Sequence, residues 1–125
     1  MKNFIDFLIE ECRKKVERET GEICGDVEAR KELNKVFKSA KINKSSKYKI
    51  LRLYKSNPLY RISRAYAIRL GVAFGFEIEE MDIFLASAGY SLSECFQQDM
   101  SIRKLLMSKK CTVDDIIPAL YNFRE

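Results

Sequence analysis

Apolar residues recur at intervals of three and four positions along most of this 125-residue chain. This spacing places them on one face of an α-helix, whereas a half-buried β-strand requires a strict alternation that the chain nowhere sustains. Glycine and proline interrupt the pattern rarely, because the chain has only five and two of them. The sequence therefore predicts an all-α fold, a compact single-domain bundle of about seven helices.

Capping and stop signals predict where these helices begin and end. We expect helices over about residues 3–18, 26–40, 44–55, 64–74, 78–88, 94–107 and 112–123. The expected N-terminal caps are Asp26, Asn43, Ser63 and Thr112. Asp115 is three residues beyond the last of these and completes a capping box. Pro118 inside the last segment predicts a kink or a displaced start.

The same periodicity predicts the buried face of each helix. Residues 65–74 are apolar nearly all round, as expected for the helix at the centre of the bundle. On the sixth helix the residues expected to face the core are Phe96, Met100, Leu105 and Leu106. On the seventh they are Val113, Ile116, Leu120 and Phe123.

The chain lacks the residue patterns of metal sites and active sites. It has no histidine, and its four cysteines are widely spaced: Cys12, Cys24, Cys95 and Cys111. Without close thiolate or imidazole pairs we expect no metal, and we interpret the cysteines as small buried apolar residues. No glycine-rich phosphate loop or serine elbow is present, and the paired acids sit in first helical turns, where the helix dipole favours them. We expect no enzymatic activity and no cofactor.

The N-terminal apolar residues are interrupted by Asp6 and Glu10. This pattern fits neither a signal peptide nor a membrane span. We therefore expect a cytoplasmic protein that does not bind a membrane.

The distribution of charge is the strongest functional signal in the sequence. Residues 1–34 carry a net charge of −2 and residues 70–125 a net charge of −4, whereas residues 35–69 contain eleven basic side chains and no acidic one. We call residues 35–69 the basic segment. Lysine-rich helix faces are often only solvated surface, but ordinary mixing would leave some carboxylates to pair with nearby lysines. Their complete exclusion favours a polyanionic partner.

The basic segment covers the end of the second predicted helix, a three-residue link and all of the third helix. A DNA-binding helix-turn-helix has this arrangement, with its second helix in the major groove. Arg52 is suited to a bidentate contact with guanine, Ser45 and Lys49 to other base edges, and Tyr48 to stacking or a phosphate contact. The residues expected mainly on the phosphate backbone are Lys41, Lys44, Lys47, Lys55, Arg61 and Arg64. Asn57 completes the candidate nucleic-acid-binding set.

The run SNPLYRISRAYAIRLGVAFGFEIEEMDIFLASAGYSLS at residues 56–93, with VFKSAKI at residues 36–42, carries a family resemblance. Together with an Asp-led apolar helix downstream, it resembles small bacterial XRE-like helix-turn-helix proteins of the Cro and lambda-repressor class. The resemblance covers residues 34–123. It implies a helical DNA-binding domain with appended helices, as found in transcriptional regulators and in phage or mobile-element proteins.

These observations predict a DNA-binding helix-turn-helix protein, a transcriptional regulator that binds double-stranded DNA. We expect a homodimer, because one recognition helix reads too few base pairs for useful discrimination. Within the one domain, residues 1–25 form an N-terminal helix and link, residues 26–90 the helix-turn-helix core, and residues 91–125 a C-terminal helical extension.

Two alternatives remain open at the sequence level. One is a protein-interaction module on the same scaffold, such as a mobile-element inhibitor of a host defence ribonucleoprotein of the anti-CRISPR kind. The other is RNA binding, through tyrosines that stack on unpaired bases. The tyrosines of the basic segment are Tyr48, Tyr54, Tyr60 and Tyr66. Because Tyr54 and Tyr66 fall on apolar stripes, we expect these two in the core.

Overall fold

The computed structural model describes residues 4–108 and 111–121 and contains seven helices in that part of the chain. They are α1 (Phe4–Thr20), α2 (Asp26–Ser39), α3 (Lys44–Ser56), α4 (Arg64–Phe74), α5 (Ile78–Ser87), α6 (Gln97–Met107) and α7 (Val113–Tyr121). The described residues include no β-strand. The all-α prediction is confirmed, and none of these helices is long and apolar enough to span a membrane.

Local capping chemistry fixes the starts of α3 and α4, as predicted. The side chain of Asn43 accepts a hydrogen bond from the Ser46 amide at 2.7 Å, and that of Ser63 accepts one from the Tyr66 amide at 3.2 Å. Each bond satisfies an amide that the first helical turn leaves without a carbonyl partner. These two caps fix Lys44 and Arg64 as the first residues of α3 and α4.

The predicted cap at Asp26 is wrong. The N-cap of α2 is Gly25, whose extended backbone precedes Asp26 as the first helical residue. The Asp26 carboxylate pairs with Arg13 on α1 instead of with amides of its own helix. The Asp26 carboxylate therefore interacts with a side chain of a neighbouring helix and not with the backbone amides of α2.

At α7 the capping box is present, and the helix begins at Val113, directly after Thr112. The Thr112 amide donates to the Asp115 carboxylate at 3.0 Å, and the Asp115 amide donates to the Thr112 hydroxyl at 3.3 Å. The start is thus not displaced, and Pro118 lies inside the helix. Because proline has no amide hydrogen, the Asp114 carbonyl lacks its usual helical donor.

The central helix is α4, against which α2, α5 and α7 pack. Its residues from Ala67 to Val72 are all buried. This burial confirms the prediction that the helix lies at the centre of the bundle. Helix α1 packs along α2 and contacts α3, while α6 packs on α7 and α5. The ring centroid of Phe4 lies 5.1 Å from that of Phe84 and 5.8 Å from that of Tyr54, so α1 is part of the core.

The predicted core face of α6 is partly wrong. Phe96 is 59% exposed and Met100 is 43% exposed. The inward positions are Asp99, Ile102 and Leu106. The Asp99 carboxylate accepts from the Ser93 amide at 2.7 Å and forms an ion pair with Arg64, and these bonds turn α6 so that Asp99 faces inward. Leu105 is half-buried, and Phe123 lies outside the described residues.

The interpretation of the cysteines holds for two of the four. Cys12 and Cys24 are buried, Cys111 is half-buried and Cys95 is exposed. Cys95 precedes α6 in the non-helical segment that the sequence analysis assigned to the helix.

Candidate nucleic-acid interface

The turn that leads into α3 is closed by backbone hydrogen bonds. The Lys41 amide donates to the Lys38 carbonyl at 3.0 Å, and the Ile42 amide donates to the Phe37 carbonyl at 3.1 Å. This pair of bonds is a Schellman motif, which requires a left-handed residue after the helix. Lys41 supplies it, with φ of 60°. The Ile42 side chain that follows is buried, which fixes the position of the residues that lead into α3.

Burial of one face of α3 leaves its opposite face in solvent. Ile50 is buried, Leu51 and Tyr54 are half-buried against the core, and Leu53 is half-buried. Apart from Ser56, the last residue of the helix, the exposed positions are Lys44, Ser45, Tyr48, Lys49, Arg52 and Lys55. Ser45, Lys49 and Arg52 recur at intervals of four and three residues, so they share one side of the helix with Tyr48 and Lys55. Tyr48 is the most exposed tyrosine at 56%.

The four basic side chains on this face are electrostatically uncompensated. Within the part of the chain that the structure describes, none of Lys44, Lys49, Arg52 and Lys55 has a carboxylate at ion-pair distance. Their charges therefore add to one positive field over α3. We call the exposed residues of α3 named above the α3 face.

Lys47 and Arg64 do not belong to this exposed surface, although the sequence analysis included them. Lys47 is buried, and its ammonium group donates to Asn34 Oδ1 at 2.5 Å. Arg64 is half-buried and paired with Asp99. Both groups are engaged within the protein, so they are not positioned to contact phosphates.

Two further basic residues of the segment have partners on α7. The ammonium group of Lys41 lies 3.1 Å from the Asp114 carboxylate, although the Lys41 side chain stays half exposed. Arg69 is buried and donates to the Tyr121 hydroxyl at 3.1 Å. With Lys47 and Arg64, four of the eleven basic residues thus have a buried side chain or an ion-pair partner, which leaves seven that are exposed and have no carboxylate partner among the described residues. They are Lys35, Lys38, Lys44, Lys49, Arg52, Lys55 and Arg61.

Open hollows flank both ends of α3. The hollow at its N-terminal end has a volume of about 490 Å³ and is lined by Lys38, Lys41 and Lys44. Here the positive end of the α3 dipole adds to the lysines. Lys38 was missing from the predicted set, and its only sequence signal was membership of the basic segment.

The hollow at the C-terminal end of α3 has a volume of about 630 Å³ and is lined in part by Lys55, Asn57 and Arg61. Asn57 has a structural task there, because its side chain accepts from the Leu59 amide at 3.0 Å. The Arg61 guanidinium is exposed and lies 4.8 Å above the Tyr90 ring, which holds it in place.

The aromatic residues of the basic segment are mostly committed to packing. The Tyr54 hydroxyl accepts from the Ile62 amide at 2.9 Å, its ring meets that of Tyr60 edge-on at 4.9 Å, and burial raises the pKa of Tyr54. Tyr66 is half-buried beside Arg69. Tyr54 and Tyr66 are packed against the core as predicted, and only Tyr48 presents most of its ring to solvent.

The described residues contain no group of three or more histidine, cysteine, aspartate or glutamate side chains that could hold a metal ion. Comparisons of the chain with protein-family models, with curated proteins and with solved structures found no match.

Proposed function

We propose that this protein binds double-stranded DNA with α3 as the recognition helix of a helix-turn-helix, and that it acts as a transcriptional regulator. The observation that carries the proposal is the α3 face, which combines four unpaired cations with the hydrogen-bonding side chain of Ser45 and the exposed ring of Tyr48. The 13 residues of α3 form a rod about 20 Å long, which the major groove of B-DNA accommodates.

Within this proposal the residues divide by role. Arg52, Lys49 and Ser45 lie along the middle and start of the α3 face, where they reach base edges. Lys38 and Lys44 at one end of α3, and Lys55 and Arg61 at the other, contact the phosphate backbone on either side of the groove. Two such copies in a homodimer bind the two half-sites of a specific operator.

The test is fluorescence anisotropy of a labelled mixed-sequence duplex, titrated with the protein at several salt concentrations. If about five phosphates are neutralised, log affinity against log salt has a slope of roughly −4 to −5. The Lys49→Ala/Arg52→Ala double variant removes the centre of the α3 face, and we expect it to bind at least about tenfold more weakly.

A matched control is the Arg18→Ala/Lys31→Ala double variant. It also removes one arginine and one lysine, both exposed, but from outside the basic segment. We expect it to retain nearly all of the wild-type affinity. The proposal fails if the wild type binds no duplex even at low salt, or if the two double variants lose affinity equally. In either case the same face should be tested against RNA and against a protein or ribonucleoprotein partner.

A further inference from the structure

The turn between α2 and α3 is held by a side chain from neither helix. Arg69 of α4 donates from Nε to the Ala40 carbonyl at 2.9 Å and from Nη2 to the Lys41 carbonyl at 2.6 Å. These carbonyls are consecutive and lie at the end of α2, where helical backbone acceptors have no internal donor. One planar guanidinium thus fixes two successive peptide groups at the point where the chain changes direction.

Arg69 is itself held by aromatic groups rather than by a carboxylate. It is only 8% exposed, and its guanidinium lies 5.1 Å from the Tyr66 ring centroid and 6.0 Å from that of Tyr121. The negative end of the α2 dipole balances its charge. The Tyr121 hydroxyl accepts from Nη1 and so adds a third hydrogen bond that helps to hold the guanidinium in its orientation. Tyr121 is the last residue of α7.

A second attachment joins α7 to the same turn. Lys41 has a left-handed backbone, which is strained for a residue with a Cβ atom. Its ammonium group pairs with Asp114, the second residue of α7. Both ends of α7 therefore reach the turn, one through Asp114 and one through Tyr121 and Arg69.

We infer that Arg69 and Tyr121 are positioning residues, through which α7 sets the direction of α3. The C-terminal extension is then a component of DNA recognition that never contacts DNA. The consequence for DNA binding rests on the proposed function, whereas the attachment of the turn does not. The two are tested by separate measurements on the full chain.

The first measurement is amide hydrogen exchange without DNA. Tyr121→Phe removes only the hydroxyl that orients Arg69, and we expect exchange at the Lys41 and Ile42 amides to rise about tenfold as the turn opens more often. The matched control is Tyr90→Phe, which removes a hydroxyl that donates to the Ile62 carbonyl at 2.8 Å, away from the turn. We expect this control to leave exchange at Lys41 and Ile42 unchanged. Equal exchange at these amides in wild type and Tyr121→Phe would overturn the inference.

The second measurement repeats the salt titration with labelled duplex. Tyr121→Phe should lower affinity severalfold at every salt concentration with the slope unchanged, because fewer molecules hold α3 in the binding orientation while the bound contacts stay the same. A residue on the phosphates behaves differently, since Lys44→Ala should make the slope shallower by about 1. Wild-type affinity in Tyr121→Phe would overturn the positioning role, whereas a wild type that binds no duplex would refute only the proposed function.

Discussion

At the residue scale, the backbone is under most constraint at Lys41. The Schellman motif at the end of α2 demands a left-handed residue, for which glycine is the usual choice. Lysine occupies the position here and uses its long side chain to reach Asp114. Lys41 therefore has both the strained backbone of the turn and the ion pair that attaches the turn to α7.

This constraint gives a prediction for two substitutions at Lys41. Both Lys41→Gly and Lys41→Ala lose the exposed ion pair with Asp114, but only glycine relieves the left-handed strain. We expect Lys41→Gly to exceed Lys41→Ala in free energy of unfolding by about 1 kcal/mol, measured by urea denaturation. Equal stabilities would show that the turn does not hold Lys41 at positive φ in solution.

Cys12 gives a prediction for the dependence of stability on pH. Burial raises the pKa of its thiol from 9.0 to about 12. Between these values the unfolded chain releases the proton while the folded chain keeps it, so this thiol lowers stability as pH rises. Its contribution reaches about 1.4 kcal/mol per pH unit. In urea titrations from pH 8 to pH 11, Cys12→Ala should lose stability less steeply than wild type, and parallel curves would contradict the assignment.

At the scale of elements, helical periodicity predicts most of what lies within one helix. It correctly places α4 at the centre of the bundle, and it groups the exposed residues of α3 on one side. It fails for α6, where Asp99 turns inward to Arg64 and the Ser93 amide and carries Phe96 outward. A partly buried ion pair between residues 35 positions apart leaves no periodic signal in the sequence.

The opposite environments of Phe4 and Phe96 give a matched pair of substitutions. Phe4→Ala removes a ring that contacts both Phe84 and Tyr54 in the core, so it should cost about 3–5 kcal/mol of unfolding free energy. Phe96→Ala removes a ring that is mostly exposed and should change stability by no more than about 0.5 kcal/mol. Urea unfolding of both variants checks the orientation of α6. Similar losses of unfolding free energy in the two variants would show that Phe96 faces the core, as the sequence predicted.

At the scale of the whole molecule, the sequence shows that positive charge is concentrated in the basic segment. It does not show which of these charges are exposed and free to contact a ligand. Lys47 donates a hydrogen bond to Asn34 of α2, Arg69 donates one to Tyr121 of α7, and Lys41 forms an ion pair with Asp114 of α7. These partners lie 13 or more positions away along the chain, and only the packing of the helices brings them together. The seven cations without a carboxylate partner are exposed and lie on α2, α3 and the segment before α4.

The predicted homodimer follows from the size of one such surface. A single α3 spans only a few base pairs, whereas two copies related by a two-fold axis engage half-sites one helical turn apart. A duplex of about 20 base pairs holds both half-sites and one of about 10 holds a single half-site, so the protein should bind the shorter duplex at least about tenfold more weakly. Sedimentation velocity of the longer complex should show the mass of the duplex plus two chains of 14.6 kDa each. One chain per duplex, with affinities that differ only in proportion to duplex length, would establish a protein that binds DNA as a monomer.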